Sequence, residues 1–248
     1  MVATAVSVLG LGFALGLKHA LDADHLAAVA VIVGEGKPSI FSSSKVGVAW
    51  GMGHASALTL VSLAVILLDF RVPDSAARWM EFLVGVVLAA LGGRMILQFR
   101  RGAVIHAHSH QHGERLHFHP HMHRSGLEAN HLSHHELPAA AQRAVRSAGR
   151  GRAPFLVGVL HGMAGSAALT LLILTAIPGT LARLGYVVVF GVGSIFGMLM
   201  MSTLIGLPFA LGKLSGLGAQ RGLRLAAGSL SLGLGLYLMA SIGPDLLL

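Results

Sequence analysis

The sequence predicts an all-α integral membrane protein with six transmembrane helices in a 3+3 inverted repeat. Three observations carry this prediction. Of 248 residues, 54% are hydrophobic and only 11% charged, whereas a soluble domain carries about 25% charged residues. Apolar runs repeatedly reach the roughly 20 residues needed to cross a hydrocarbon core. Short motifs of the first half recur, in the same order, in the second.

The six apolar segments are Val2–Val33, Val46–Leu68, Ala77–Phe99, Pro154–Ile177, Leu184–Leu211 and Leu223–Leu247. The first is too long for one straight span at ~1.5 Å per residue, so it is expected to be tilted, broken at its charged middle, or extended into the interface. It lacks a basic region ahead of its apolar run and reads as a spanning helix, not a cleaved signal. Gly16-Leu17-Lys18-His19 resembles Gly158-Val159-Leu160-His161; Gly51-Met52-Gly53-His54 resembles Gly191-Val192-Gly193-Ser194; Gly85 through Gly92 resembles Gly228 through Gly235. The offsets are 142, 140 and 143 residues. With three helices per copy, the second copy is inverted in the membrane, as in many secondary transporters. Residues 1–99 then form the first three-helix repeat, 100–153 a His-rich cytoplasmic loop, and 154–248 the second repeat.

The net charge is +8, but basic and aromatic residues do not interleave as single-strand nucleic-acid binding requires, and no nucleic-acid partner is expected. The basic residues lie in or beside the first, third and fifth loops; only Arg71, Arg78 and Arg183 fall on the other side. Setting aside Arg115, Arg124, Arg143 and Arg146, far from helix ends, leaves ten against three. The positive-inside rule therefore places the long loop in the cytoplasm and both termini outside a cell (inner) membrane. With no cysteine in the chain, disulfides, thiolate ligands and thiol redox chemistry are excluded.

The first segment contains Lys18-His19-Ala20-Leu21-Asp22-Ala23-Asp24-His25. One charge near the centre of a membrane helix costs roughly 2.5–3.5 kcal/mol on insertion scales, so this cluster needs a compensating role. One is a packing ion pair between Lys18 and Asp22 at i,i+4. The other is a cation site, because imidazole and carboxylate are the ligands that Ni(II), Co(II) and Zn(II) accept without sulfur. In a regular helix His19, Asp22 and His25 drift around the surface and Asp24 points away from His19. A single ion held by His19, Asp24 and His25 requires local unwinding.

His19-x4-Asp24-His25 in an apolar helix resembles the signature of the nickel/cobalt transporter family, and Gly53-His54-Ala55-Ser56 is similar to that family's Gly-His-Ser element. The resemblance implies that His19, Asp24 and His25 bind the metal, with His54 beside them; Asp22 joins as a candidate ligand from the cation-site reading and His161 as the repeat counterpart of His19. It spans all six segments and thins in the second half. Gly197-Met198-Leu199-Met200-Met201-Ser202-Thr203 stands where the family carries acidic residues, and no carboxylate occurs between Glu136 and Asp245. Ser166, Ser202, Thr203 and the nearby methionines read as packing residues.

The insert 100–153 holds eleven of the fifteen histidines, in two alternating arrays, His106 to His112 and His117 to His123, followed by His131, His134 and His135. Such tracts read as metal-binding, suited to a buffer, sensor or antenna. A cytoplasmic metallochaperone is the partner such a loop would meet. No phosphate-binding loop is present, so the expected activity is non-ATP-driven movement of Ni(II) or Co(II) across the bilayer. The ion is the substrate; no tightly bound cofactor is expected. The membrane potential, worth ~2.3 kcal/mol per charge per 100 mV, favours uptake, with efflux as the alternative. An intramembrane metal hydrolase is the rival from another class; the helices offer it no further carboxylate as a base.

Overall fold

A lipid-embedded segment has no water to satisfy its peptide groups, and a helix bonds them within itself. The computed structural model describes residues 2–35, 39–68, 72–100, 104–112, 115–123, 152–164, 176–215 and 217–246. Its membrane body is helical: α1 (Val2–His19), α2 (Ala23–Glu35), α3 (Ile40–Leu68), α4 (Asp74–Arg100), α5 (152–163), α6 (Thr180–Ser215) and α7 (Leu217–Ile242), which ends in a 3₁₀ turn at Gly243–Leu246. Among the described residues, α3, α4, α6 and α7 are the four helices long and apolar enough to cross a membrane.

The first apolar segment is two helices. The Leu21 N–H donates to the Lys18 carbonyl (2.9 Å) and the Asp22 N–H to the His19 carbonyl (3.1 Å), tightening and ending α1. α2 restarts where the Leu26 N–H reaches the Asp22 carbonyl at 3.1 Å. The break falls in the charged stretch, where aspartates compete with the backbone for hydrogen bonds. The fourth segment, Pro154–Ile177, is helical through residue 163; residues 165–175, including Ser166, lie outside the described residues. α3 begins six residues before Val46, because Ser39 caps it: its Oγ accepts from the Ser42 N–H at 3.1 Å, relieving one of the donors that a helix start leaves open. α6 runs through Pro208 without interruption.

The insert is not wholly loop. β1 (Val104–His112) and β2 (Arg115–His123) pair antiparallel, with His106, His108 and His110 directly opposite His121, His119 and His117. His131, His134 and His135 lie outside the described residues.

Glycines set the helix contacts. A Cβ at Gly16 would run into the Phe190 carbonyl of α6, and one at Gly193 into the Phe13 carbonyl of α1. Gly12 faces Tyr186 and Gly197 faces Ala20; the numbers rise together, so α1 and α6 run parallel. Gly53 abuts the Phe155 carbonyl and Gly158 the Trp50 carbonyl, while Gly162 meets His54 and Ala57, so α3 and α5 also run parallel. Gly47 against Met198 and Gly51 against Ile195 make α3 and α6 antiparallel. Gly85 against Gly235, and Gly92 against Gly228 and Leu232, do the same for α4 and α7. It follows that α1 and α5 are antiparallel.

Cross-helix polar contacts among the described residues include Ser44 Oγ to Thr203 Oγ1 (2.9 Å), the Ser231 hydroxyl donating to the Leu88 carbonyl (2.9 Å), and Arg94 Nε donating to Glu35 Oε1 (3.1 Å) between α4 and α2. Leu60, Leu68, Val188, Leu230 and Tyr237 stand exposed, the apolar surface a bilayer would cover. The main core gathers Ala20, Ala27, Ala28, Trp50, Leu88 and Met198 around the α1–α2 break. Ala20 ties the break to this core, while Leu21 beside it is exposed.

Candidate metal centre

All four histidines outside the insert are buried, and they meet at the α1–α2 break. His19 is 9% exposed, His25 and His161 1%, and His54 0%. α1 ends on His19, α2 carries His25 in its first turn, α3 brings His54, and α5 brings His161. His25 is the hub: its ring centroid lies 4.8 Å from that of His19, 5.1 Å from His54 and 5.4 Å from His161. The break makes this convergence, because in an unbroken helix His19 and His25 would point about 120° apart.

Hydrogen-bond partners assign the tautomers of several rings taken as neutral imidazoles. His19 Nδ1 lies 2.7 Å from Asp22 Oδ2. An ionised carboxylate only accepts, so Nδ1 carries the hydrogen and Nε2 presents its lone pair. His161 Nδ1 lies 3.0 Å from the Val157 carbonyl, and its buried Nε2 has no hydrogen-bond partner. His19 Nε2 and His54 Nε2 are 3.0 Å apart; with His19 as acceptor, His54 donates, leaving His54 Nδ1 buried and unpartnered. Neither nitrogen of His25 has a hydrogen-bond partner. Asp24 Oδ1 stands 3.3 Å from His25 Nδ1, near enough for charge attraction but outside hydrogen-bond geometry. A buried polar atom without a partner costs about 1–3 kcal/mol, and three such imidazoles share this site.

Two overlapping groups can hold an ion. His19, His25 and His54, all buried, each offer a ligand atom within 4.8 Å of the others. Asp22, Asp24 and His25 form the second group at the same spacing, with the Asp22 and Asp24 side chains 45% and 30% exposed. His161 belongs to neither triad and reaches the site through His25. The Lys18–Asp22 ion pair weighed from the sequence gives way to His19–Asp22, and Lys18 is exposed.

Two ring neighbours were not singled out from the sequence. Trp50 packs on His161 at 4.8 Å and on His25 at 6.3 Å, and Phe190 lies 5.8 Å from His19. The signal for Trp50 is its spacing: four residues before His54, it shares that histidine's helix face. Nothing local marks Phe190, whose position follows from the α1–α6 contact. Ser202 and Thr203 bond to the Leu199 carbonyl within α6 (3.1 and 2.6 Å).

Fold and site together define a multi-pass helical membrane protein built around a buried imidazole cluster. The chain belongs to the NicO family of high-affinity nickel-transport proteins, whose family model matches residues 5–234, and so to a family of metal-ion transporters, not enzymes. It is 35% identical to the urease accessory protein UreH of Bacillus sp. (strain TB-90) over 208 residues, covering 83% of this chain and 79% of the relative. It is 27% and 24% identical to the Arabidopsis thaliana chloroplast proteins FOR GROWTH AND FERTILITY 1 and 2, in each case over 79% of this chain, but it spans only 48% and 46% of those longer proteins. No solved structure matches.

Proposed function

We propose that the chain is a secondary permease that brings Ni(II), and alternatively Co(II), into the cell through the imidazole cluster. The observation that carries this reading is the convergence of His19, His25, His54 and His161 at a helix break, with unpartnered ring nitrogens on His25, His54 and His161 left for a ligand. His19, His25 and His54 ligate the ion, with Asp24 at its edge and His161 alongside. Asp22 acts on His19, holding its Nδ1 hydrogen as carboxylates do behind metal-bound imidazoles. An inward-negative potential drives a dication inward with twice the force on a single charge.

The path lies between two inverted three-helix repeats, residues 1–99 and 154–248, giving six spans. Exchange of contacts supports this: Gly16 on Phe190 is matched by Gly158 on Trp50, Gly193 on Phe13 by Gly53 on Phe155, and Gly92 on Gly228 by Gly235 on Gly85. A two-fold operation with its axis in the membrane plane would produce that pattern, and the antiparallel run of α1 and α5 supports it. α1 stops at His19 and the chain resumes as α2 at Ala23, the discontinuous-helix arrangement of midplane binding sites. Both termini face outside, and the loop 100–153 gathers metal in the cytoplasm, where a metallochaperone would meet it.

The deciding experiment is radioactive nickel flux into proteoliposomes. Flux under an inward-negative potential is expected from the purified protein and lost in His25→Ala. A protein that binds nickel yet moves none removes the transport reading.

A further inference from the structure

Metal-ligand chemistry divides the centre in two. Asp22 and Asp24 are partly exposed oxygen donors, the kind that accept an ion still holding part of its water; His19 and His54 are buried nitrogen donors, suited to Ni(II), Co(II) or Zn(II) and poor for Mg(II) or Mn(II). The two groups share one residue, His25. Among the imidazoles, His19 has its Nδ1 hydrogen held by Asp22 and His161 has its own held by the Val157 carbonyl. His25 has no hydrogen-bond partner on either nitrogen; Asp24 Oδ1 lies 3.3 Å from its Nδ1 without bonding it, and is itself a ligand of the outer group. His25 also touches all three other histidines.

We infer that the centre is a two-station site in which a hydrated divalent cation binds first to Asp22, Asp24 and His25 and is then handed by His25 to His19 and His54. This rests on the transport reading and adds the order of binding. A neutral imidazole has one lone pair, so His25 serves one station at a time and the stations are alternatives. Asp22 keeps one oxygen on His19 while the other is free for the ion, which joins the outer carboxylate to the inner imidazole. At the hand-over the ion exchanges oxygen ligands for imidazole nitrogens, and water and carboxylates are left behind. Selectivity then belongs to the second step: ions that prefer oxygen stop at the outer station.

The test uses the purified full-length chain with the eleven insert histidines replaced by serine, so that the centre alone supplies imidazole, and Ni(II) alone, freeze-quenched early and late after mixing, with imidazole ligands counted by X-ray absorption. One imidazole is expected early and three late, with one ion per chain at saturation. His54→Gln should stay at the one-imidazole spectrum and bind about 10–100-fold more weakly, the usual range for disturbing a metal's surroundings. Asp22→Asn should slow the first step and still reach the imidazole-rich spectrum. A wild-type protein that shows three imidazoles at the earliest time, or holds two ions together, overturns the hand-over, as does a folded His54→Gln that binds no nickel. Nickel flux separates the two claims. Flux with one-step binding leaves transport standing and removes the hand-over; two-step binding without flux does the reverse.

Discussion

His19 and His25 are six residues apart, yet their rings meet at 4.8 Å because the chain between them leaves the helix. That local event separates the roles of the residues around it. Asp24→Asn and His25→Ala are expected to abolish nickel flux at every metal concentration while leaving expression intact. Asp22→Asn, which removes the charge behind His19 but no buried ligand, should weaken nickel binding by about 10–100-fold and retain flux at saturating metal. Equilibrium binding measured beside flux distinguishes the two outcomes; equal total loss in Asp22→Asn would make Asp22 an indispensable ligand. The motif itself was legible in the sequence. The division between ligand and orienting carboxylate was not, because it depends on which oxygen faces which ring nitrogen.

Between elements, glycine takes the place that apolar side chains hold in soluble cores, since lipid gives helices no hydrophobic reason to associate. Gly53 and Gly158 each lie against a carbonyl of the opposing helix, so a side chain at either must push backbone from backbone. Gly53→Val and Gly158→Val should each cost about 1–3 kcal/mol, read as a lower Tm in detergent. Gly233→Ala, with nothing within 4 Å of an added Cβ, should not lower the Tm. The insert forms a separate element. Replacing its eleven histidines by serine should lower the total metal bound and leave saturating flux largely unchanged. Flux lost as completely as in His25→Ala would move the essential site into the insert.

For the whole molecule, orientation is the open quantity, and a chain without cysteine suits single-cysteine labelling. Cysteine at Ser109, in β1, is expected to resist impermeant thiol reagents in intact cells. Cysteine at Ser75, exposed in the first turn of α4, should react. The reverse pattern would place the termini inside and the insert outside, and would turn the proposed direction of transport around.

Composition and apolar run length determined on their own that this is a helical membrane protein, because crossing lipid imposes a length and bars charge wherever it happens. The signature around His19 was legible for the same reason: charges in an apolar segment stand out without a fold. The sequence left the state of the first segment among three options, and only the tertiary structure selected the break, since i→i−3 and i→i−4 bonding at Leu21, Asp22 and Leu26 depends on what surrounds them. The insert showed its histidine alternation in the sequence but not its pairing, which needs a partner strand in register. His161 could be placed only by analogy with His19, and Phe190 not at all, because contacts between residues more than a hundred positions apart are written in helix packing and not in spacing.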